Sequence, residues 1–68
     1  MKPLSGKQMR KVVERHGWIL DHVRGSHHIF RKEGVSGNIN VPIHGNKTLK
    51  PKTQRNIMRQ AGLTDDDL

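Results

Sequence analysis

The sequence predicts an α+β domain with the element order α-β-β-β-α, in which a three-stranded antiparallel sheet carries two helices on one face. Apolar residues recur at helical spacing near both ends of the chain, whereas in the middle they alternate with polar residues. Short polar connections separate the middle segments, and strands joined by short loops pair antiparallel. Because such a sheet has a single apolar face, we expect both helices to cover that face.

The first helix is predicted over residues 5–16. Ser5 can cap its N-terminus, and Gln8, three residues later, completes a capping box. Gly17 is typical of a C-terminal stop. One buried stripe at helical spacing is predicted for Met9, Val12, Val13 and His16. We therefore expect a structural role for His16, at the negative end of the helix.

Three strands are predicted in the middle of the chain, over residues 18–23, 27–32 and 38–43. Gly25 and Ser26 would form the tight first turn, because glycine readily adopts the positive φ that primed hairpin turns require. A looser, glycine-rich turn precedes the third strand. Pro42 lacks a backbone N–H, which indicates that the third strand lies at an edge or ends there.

A second helix is predicted after a polar loop. Pro51 suits its first turn, and Gly62 suits its C-terminal stop. The stripe expected to face the core consists of Gln54, Ile57, Met58 and Ala61. A different face of the same helix carries the basic residues Lys52, Arg55 and Arg59.

Length and composition predict a single small domain, residues 1–68, and indicate its surroundings. The chain has no cysteine, no signal-peptide pattern and no apolar run near the roughly 18 residues of a membrane span. We therefore expect a soluble, cytoplasmic protein with no membrane partner. The net charge is +7, although three consecutive aspartates form an acidic tail at residues 65–67 that we expect to be solvated. This charge favours a nucleic-acid partner over a merely basic soluble surface.

The histidines are the candidate catalytic residues. His27 and His28 open the second strand directly after the turn, and neighbouring strand residues point to opposite faces of a sheet. Position alone leaves both open as polar hairpin residues or catalysts. His44, after the third strand, is a lesser candidate, and His22 is expected at the surface or at the edge of the core. The histidine spacings of common metal sites are absent, so we expect neither a metal ion nor a cofactor.

RNA cleavage is the reaction that suits a lone histidine among basic side chains. Histidine exchanges protons near neutral pH, and Lys and Arg can stabilise charge at a phosphate. RNA carries its own nucleophile in the 2′-hydroxyl, whereas DNA does not. The composition therefore favours RNA over DNA as the substrate.

The ordered motifs of this chain resemble those of the HicA family of toxins from toxin–antitoxin pairs. The resemblance runs from Gly6 to about Asp66 and rests on the segments GW…RGSHHIF, NVPIHG and LKPKT…IMRQAGLT. It implies a double-stranded-RNA-binding-domain-like fold, mRNA interferase activity and neutralisation by a HicB-like antitoxin. It also implies that His27, directly after the Gly25-Ser26 turn, is the catalytic histidine.

Together these observations predict a metal-independent endoribonuclease toxin that is a monomer when free. The side chains predicted to hold the RNA backbone are Lys47, Lys50, Lys52, Arg55 and Arg59. The N-terminus of the second helix would add partial positive charge beside a phosphate. The alternative is a non-catalytic RNA-binding module of the same fold, because fold alone does not determine activity.

Overall fold

The computed structural model describes residues 1–68 and has the predicted element order. No helix is both long enough and apolar enough to cross a membrane. The elements are α1 (Gly6–Arg15), β1 (Ile19–Arg24), β2 (His27–Arg31), β3 (Ile39–Pro42), α2 (Pro51–Ala61) and a 3₁₀ turn (Asp65–Asp67). Each predicted helix or strand is therefore confirmed, with its ends within one or two residues of the prediction.

The start of α1 is fixed by the predicted capping box. The backbone N–H of Gln8 donates to Ser5 Oγ at 3.1 Å, and the N–H of Ser5 donates to Gln8 Oε1 at 2.9 Å. The first residue of the helix, Gly6, is buried against the end of β3, where an added Cβ would overlap the carbonyl oxygen of Pro42. Glycine is thus required there for the close approach of helix and strand.

The three strands form one antiparallel sheet in the order β1-β2-β3. Gly25 has φ +58°, whereas Ser26, like every other residue that is not glycine, has a negative φ. A positive φ at the first of the two turn residues alone is typical of a type II′ turn, which here joins β1 to β2. The third strand ends at Pro42 and lies at an edge of the sheet, as predicted. A β-bulge interrupts β1 between Leu20 and His22. The sequence pattern gave no indication of this bulge.

Both helices cover the same face of the sheet, and the core lies between the two layers. Alternate strand residues point into it, so that Phe30, Ile39 and Val41 are each 1 % exposed or less. The buried cluster is completed by Leu4, Met9, Val12, Val13, Trp18, Leu49, Ile57, Met58 and Leu63. The opposite face of the sheet is not covered by any element, and its side chains are available for function.

Two polar features of the helical layer differ from a simple apolar stripe. Gln54 is fully buried, where its Oε1 accepts from the N–H of Leu4 at 2.9 Å and its Nε2 donates to the carbonyl of Lys2 at 2.6 Å. Gln54 therefore attaches the N-terminal segment to α2. The acidic tail is less solvated than predicted, because the Asp67 carboxylate accepts from the N–H of Thr64 and lies 3.5 Å from His16 Nε2.

Candidate active site on the open face of the sheet

The two adjacent histidines lie on opposite faces of the sheet. His28 precedes the core residue Phe30 by two positions and pairs with buried Val41, so it is directed to the helix side and is half-buried. His27 is exposed on the open face. The sequence prediction that the two imidazoles have different surroundings is confirmed.

His27 has one side-chain hydrogen-bond partner, Asn40 on the neighbouring strand β3. Nδ1 of His27 lies 3.1 Å from Oδ1 and 3.0 Å from Nδ2 of the Asn40 amide. The amide oxygen can accept from a protonated Nδ1, and the amide nitrogen can donate to an unprotonated one. Asn40 can therefore orient the imidazole in either protonation state, while Nε2 forms no hydrogen bond within the chain.

A shallow depression surrounds His27 on the open face. Its walls are formed by Arg24, His27, Ile29 and Asn40. Arg24 is the residue directly opposite His27 in the β1–β2 register, on the other side of the two-residue turn. The depression thus brings together an imidazole, a guanidinium and an amide.

The turn before His27 is held from the helix side of the sheet. The carbonyl oxygen of Ser26 accepts from the backbone N–H of Ile43 at 2.8 Å and from Nδ1 of His28 at 3.1 Å. Gly25 has open space around it, since a Cβ added there would have no atom within 4 Å, and it contributes its positive φ. These contacts fix the position at which β2 begins, and hence the backbone that carries His27.

The basic residues predicted from the sequence form two separate groups. Lys47 and Lys50 line a cleft with His44 and Pro42, and Pro42 is the register partner of His27 on β3. This cleft therefore lies at the end of the sheet where His27 is found. The other walls of the cleft are Thr48, Leu49 and Thr53.

Arg55 and Arg59 lie in a different part of the molecule. They line a groove with Met1, Leu63 and Asp65, near the C-terminal end of α2. Lys52 is exposed in the first turn of α2, and none of the predicted basic residues lines the depression around His27. The structure therefore brings Lys47 and Lys50 together but does not bring them into contact with His27.

Sequence reasoning missed Arg24 and Asn40. A two-residue hairpin turn pairs the residues on either side of it, so the segment RGSH already implied that Arg24 faces His27. Asn40 had no comparable signal, because its proximity depends on the register between β2 and β3. No group of three or more His, Cys, Asp or Glu side chains converges on a common point.

The fold and the site together define a small basic α+β domain with an exposed histidine on an uncovered sheet. Comparison with family models gives a match over residues 6–63 to the family described as the HicA toxin of bacterial toxin–antitoxin. A comparison with curated proteins gives no match. Because the family match covers most of the chain, the protein belongs to the HicA toxin family, and a toxin of that kind has an antitoxin as its partner.

Proposed function

We propose that this protein is a metal-independent endoribonuclease, the mRNA interferase of its toxin–antitoxin pair, with His27 as the catalytic residue. The observation that carries the proposal is the hydrogen bond between His27 Nδ1 and Asn40 on an uncovered sheet face. An imidazole held at one nitrogen and open at the other is suited to general acid–base catalysis. Membership of the HicA family supports the same activity.

The chemistry requires one proton acceptor beside a ribose. Nε2 of His27 removes the proton from a 2′-hydroxyl, and the resulting oxygen attacks the adjacent phosphorus. The bond from phosphorus to the 5′-oxygen breaks, and that oxygen takes up a proton from solvent water, while the protonated imidazole returns its own proton to solvent. The products are a 2′,3′-cyclic phosphate and a 5′-hydroxyl end. Asn40 keeps the imidazole in one orientation during this transfer.

The basic residues bind the RNA backbone on either side of the reacting phosphate. Lys47 and Lys50 are the nearest of these residues to His27, because Pro42, which lines their cleft, is the strand partner of His27. Lys52, Arg55 and Arg59 extend the positive charge along α2, whose N-terminus also favours a phosphate. Backbone contacts of this kind confer affinity and carry no sequence information.

The same exposure makes the site easy to inhibit. A HicB-like antitoxin that covers His27 and part of α2 would block both substrate access and proton exchange. The basic surface would speed its association with an acidic partner. Residues 1–68 form one domain, and the free toxin is a monomer in the cytoplasm. Sedimentation of the free protein and a protection footprint of His27 in the complex test these statements.

A second candidate function is non-catalytic RNA binding. It is favoured by the separation of the Lys47–Lys50 cleft from His27, because a cleft that binds phosphate away from the catalytic histidine only retains RNA. Such a protein would act as a toxin by occluding its target.

One experiment distinguishes the two functions. Purified protein is incubated with RNA of mixed sequence in excess EDTA, and the products are analysed by length and by end group. Cleavage to cyclic-phosphate ends is expected for the ribonuclease. Intact RNA with a mobility shift would contradict it and support the binding module. A DNA strand of the same sequence is the matched control and should remain intact.

A further inference from the structure

Arg24 and His27 form the register pair that closes the β1–β2 hairpin. They are separated in sequence only by Gly25 and Ser26, and their Cα atoms are partners in the antiparallel ladder. Side chains of directly opposed residues lie on the same face of a sheet, with Cβ atoms about 5 Å apart. Both line the depression on the open face.

The β-bulge in β1 is what gives Arg24 this position. Leu20 and Arg24 are four residues apart, so in an uninterrupted strand both would point to the same face. Leu20 pairs with Phe30 and packs against the core, which would direct Arg24 towards the helices. The bulge between Leu20 and His22 inserts one extra residue and reverses the alternation. Arg24 is thereby directed to the open face with His27.

The charge of Arg24 is not neutralised within the chain. No carboxylate forms an ion pair with it. Arg31 provides a useful contrast, because it lies on the same strand and face as His27 but its Nε is 3.4 Å from Asp21 Oδ1. Of these two arginines of the open face, the one beside His27 is therefore free to bind an anion.

The chemistry of the two side chains is complementary. Guanidinium offers hydrogen-bond donors and no acceptor, so Arg24 cannot compete with His27 for the proton of the 2′-hydroxyl. Its planar donors match two oxygens of a phosphate, and the charge on those oxygens grows as the 2′-oxygen attacks. A cation fixed beside the base is thus placed where negative charge develops.

We infer that Arg24 is a second catalytic residue, which binds the non-bridging oxygens of the scissile phosphate while His27 accepts the proton. This inference rests on the proposed ribonuclease function and assigns the electrostatic part of its catalysis. The residues that hold the rest of the backbone, in the Lys47–Lys50 cleft and on α2, contribute affinity.

The test is a comparison of Arg24→Ala, Arg24→Lys and Arg31→Ala in single-turnover cleavage of RNA in EDTA. Arg24→Ala should cleave about 10²- to 10³-fold more slowly, as is typical when one donor to a developing oxyanion is lost. Arg24→Lys should recover part of the rate, since it retains the charge but not the paired donors. Arg31→Ala should cleave within a few-fold of the wild type. Added guanidinium ion should partly restore Arg24→Ala and leave His27→Ala inactive.

Binding is measured in parallel on the same RNA with 2′-deoxy substitution, which prevents cleavage. Arg24→Ala should change that affinity only a few-fold. The inference is overturned if Arg24→Ala cleaves as fast as Arg31→Ala, or if its loss of rate is matched by an equal loss of affinity. A wild-type protein that leaves RNA intact would instead overturn the proposed function itself. Arg24 is exposed, so these variants should keep the wild-type thermal unfolding midpoint.

Discussion

His28 donates from Nδ1 to the carbonyl oxygen of Ser26, 3.1 Å away. Ser26 is the last residue of the turn that precedes His27, so one histidine of the pair supports the backbone that carries the other. This relationship gives the two histidines distinct roles: His28 acts on the turn from the helix side, and His27 faces solvent.

The first prediction separates those roles. His27→Ala should lose about 10²- to 10⁴-fold in cleavage rate, the usual contribution of a general acid–base residue, with its fold and RNA affinity retained. His28→Ala should keep most of the activity, because the carbonyl of Ser26 retains its hydrogen bond from the backbone N–H of Ile43. Rate, affinity and circular dichroism are measured on both variants. Equal losses of rate, or an unfolded His27→Ala, would contradict the assignment.

The second prediction concerns Asn40, as a positioning residue for His27. Asn40→Ala should cleave about ten-fold more slowly, because the imidazole loses its only side-chain hydrogen bond. Asn40→Asp should move the pH–rate profile to higher pH, because an adjacent carboxylate favours the protonated imidazole. Asn38→Ala, a variant of an exposed residue just before β3, is the control. An unchanged pH profile for Asn40→Asp would show that Asn40 does not act on His27.

The third prediction concerns the contact between α1 and β3. Gly6→Ala should lower the free energy of unfolding by about 1–3 kcal/mol, the usual cost of overpacking. Its Cβ would overlap the Pro42 carbonyl oxygen and lie 3.0 Å from the Cα of Ile43. Urea unfolding is compared with that of Lys7→Ala, the exposed next residue of the helix. Equal stability of the two variants would show that α1 and β3 are not in close contact at Gly6.

The fourth prediction concerns the salt dependence of RNA binding. If about four basic side chains contact single-stranded phosphates, log K should fall with log salt at a slope of roughly −3. Lys52→Glu should flatten that slope by about 0.7, the share of one contact. An acidic residue in the first turn of α2 also favours the helix, so weaker binding would not come from unfolding. Arg15→Glu makes the same charge change on α1 and should leave the slope unchanged. If RNA binding by the wild type did not depend on salt, a phosphate-binding face would be excluded.

The elements of the fold could be predicted because their signals are local. Ser5 and Gln8 cap α1 through side chains three residues apart, and Gly25 marks a turn whose backbone needs a positive φ. The bulge at Asp21 could not be predicted in this way. Its position follows from the pairing of β1 with β2 and from Leu20 packing in the core, and both are tertiary relationships.

The same distinction explains what was missed at the candidate site. His27 follows a recognisable turn, whereas Asn40 reaches it only through the register of a strand thirteen residues away. Gln54 was predicted as a member of an apolar stripe, which gave its burial correctly but not its hydrogen bonds to residues about fifty positions earlier in the chain. Contacts between distant segments become visible only once the layers are assembled.

The pair of histidines raises the question of what determines which imidazole faces solvent. Side-chain direction alternates along a strand, so a slip of β2 by one residue would exchange His27 and His28 and still leave an imidazole on each side. The two histidines therefore do not determine which of them faces outward. Phe30 determines it, because this side chain is fully buried and the same slip would expose it to water. The identity of the outward histidine is therefore decided three residues away, by the anchoring of one aromatic ring.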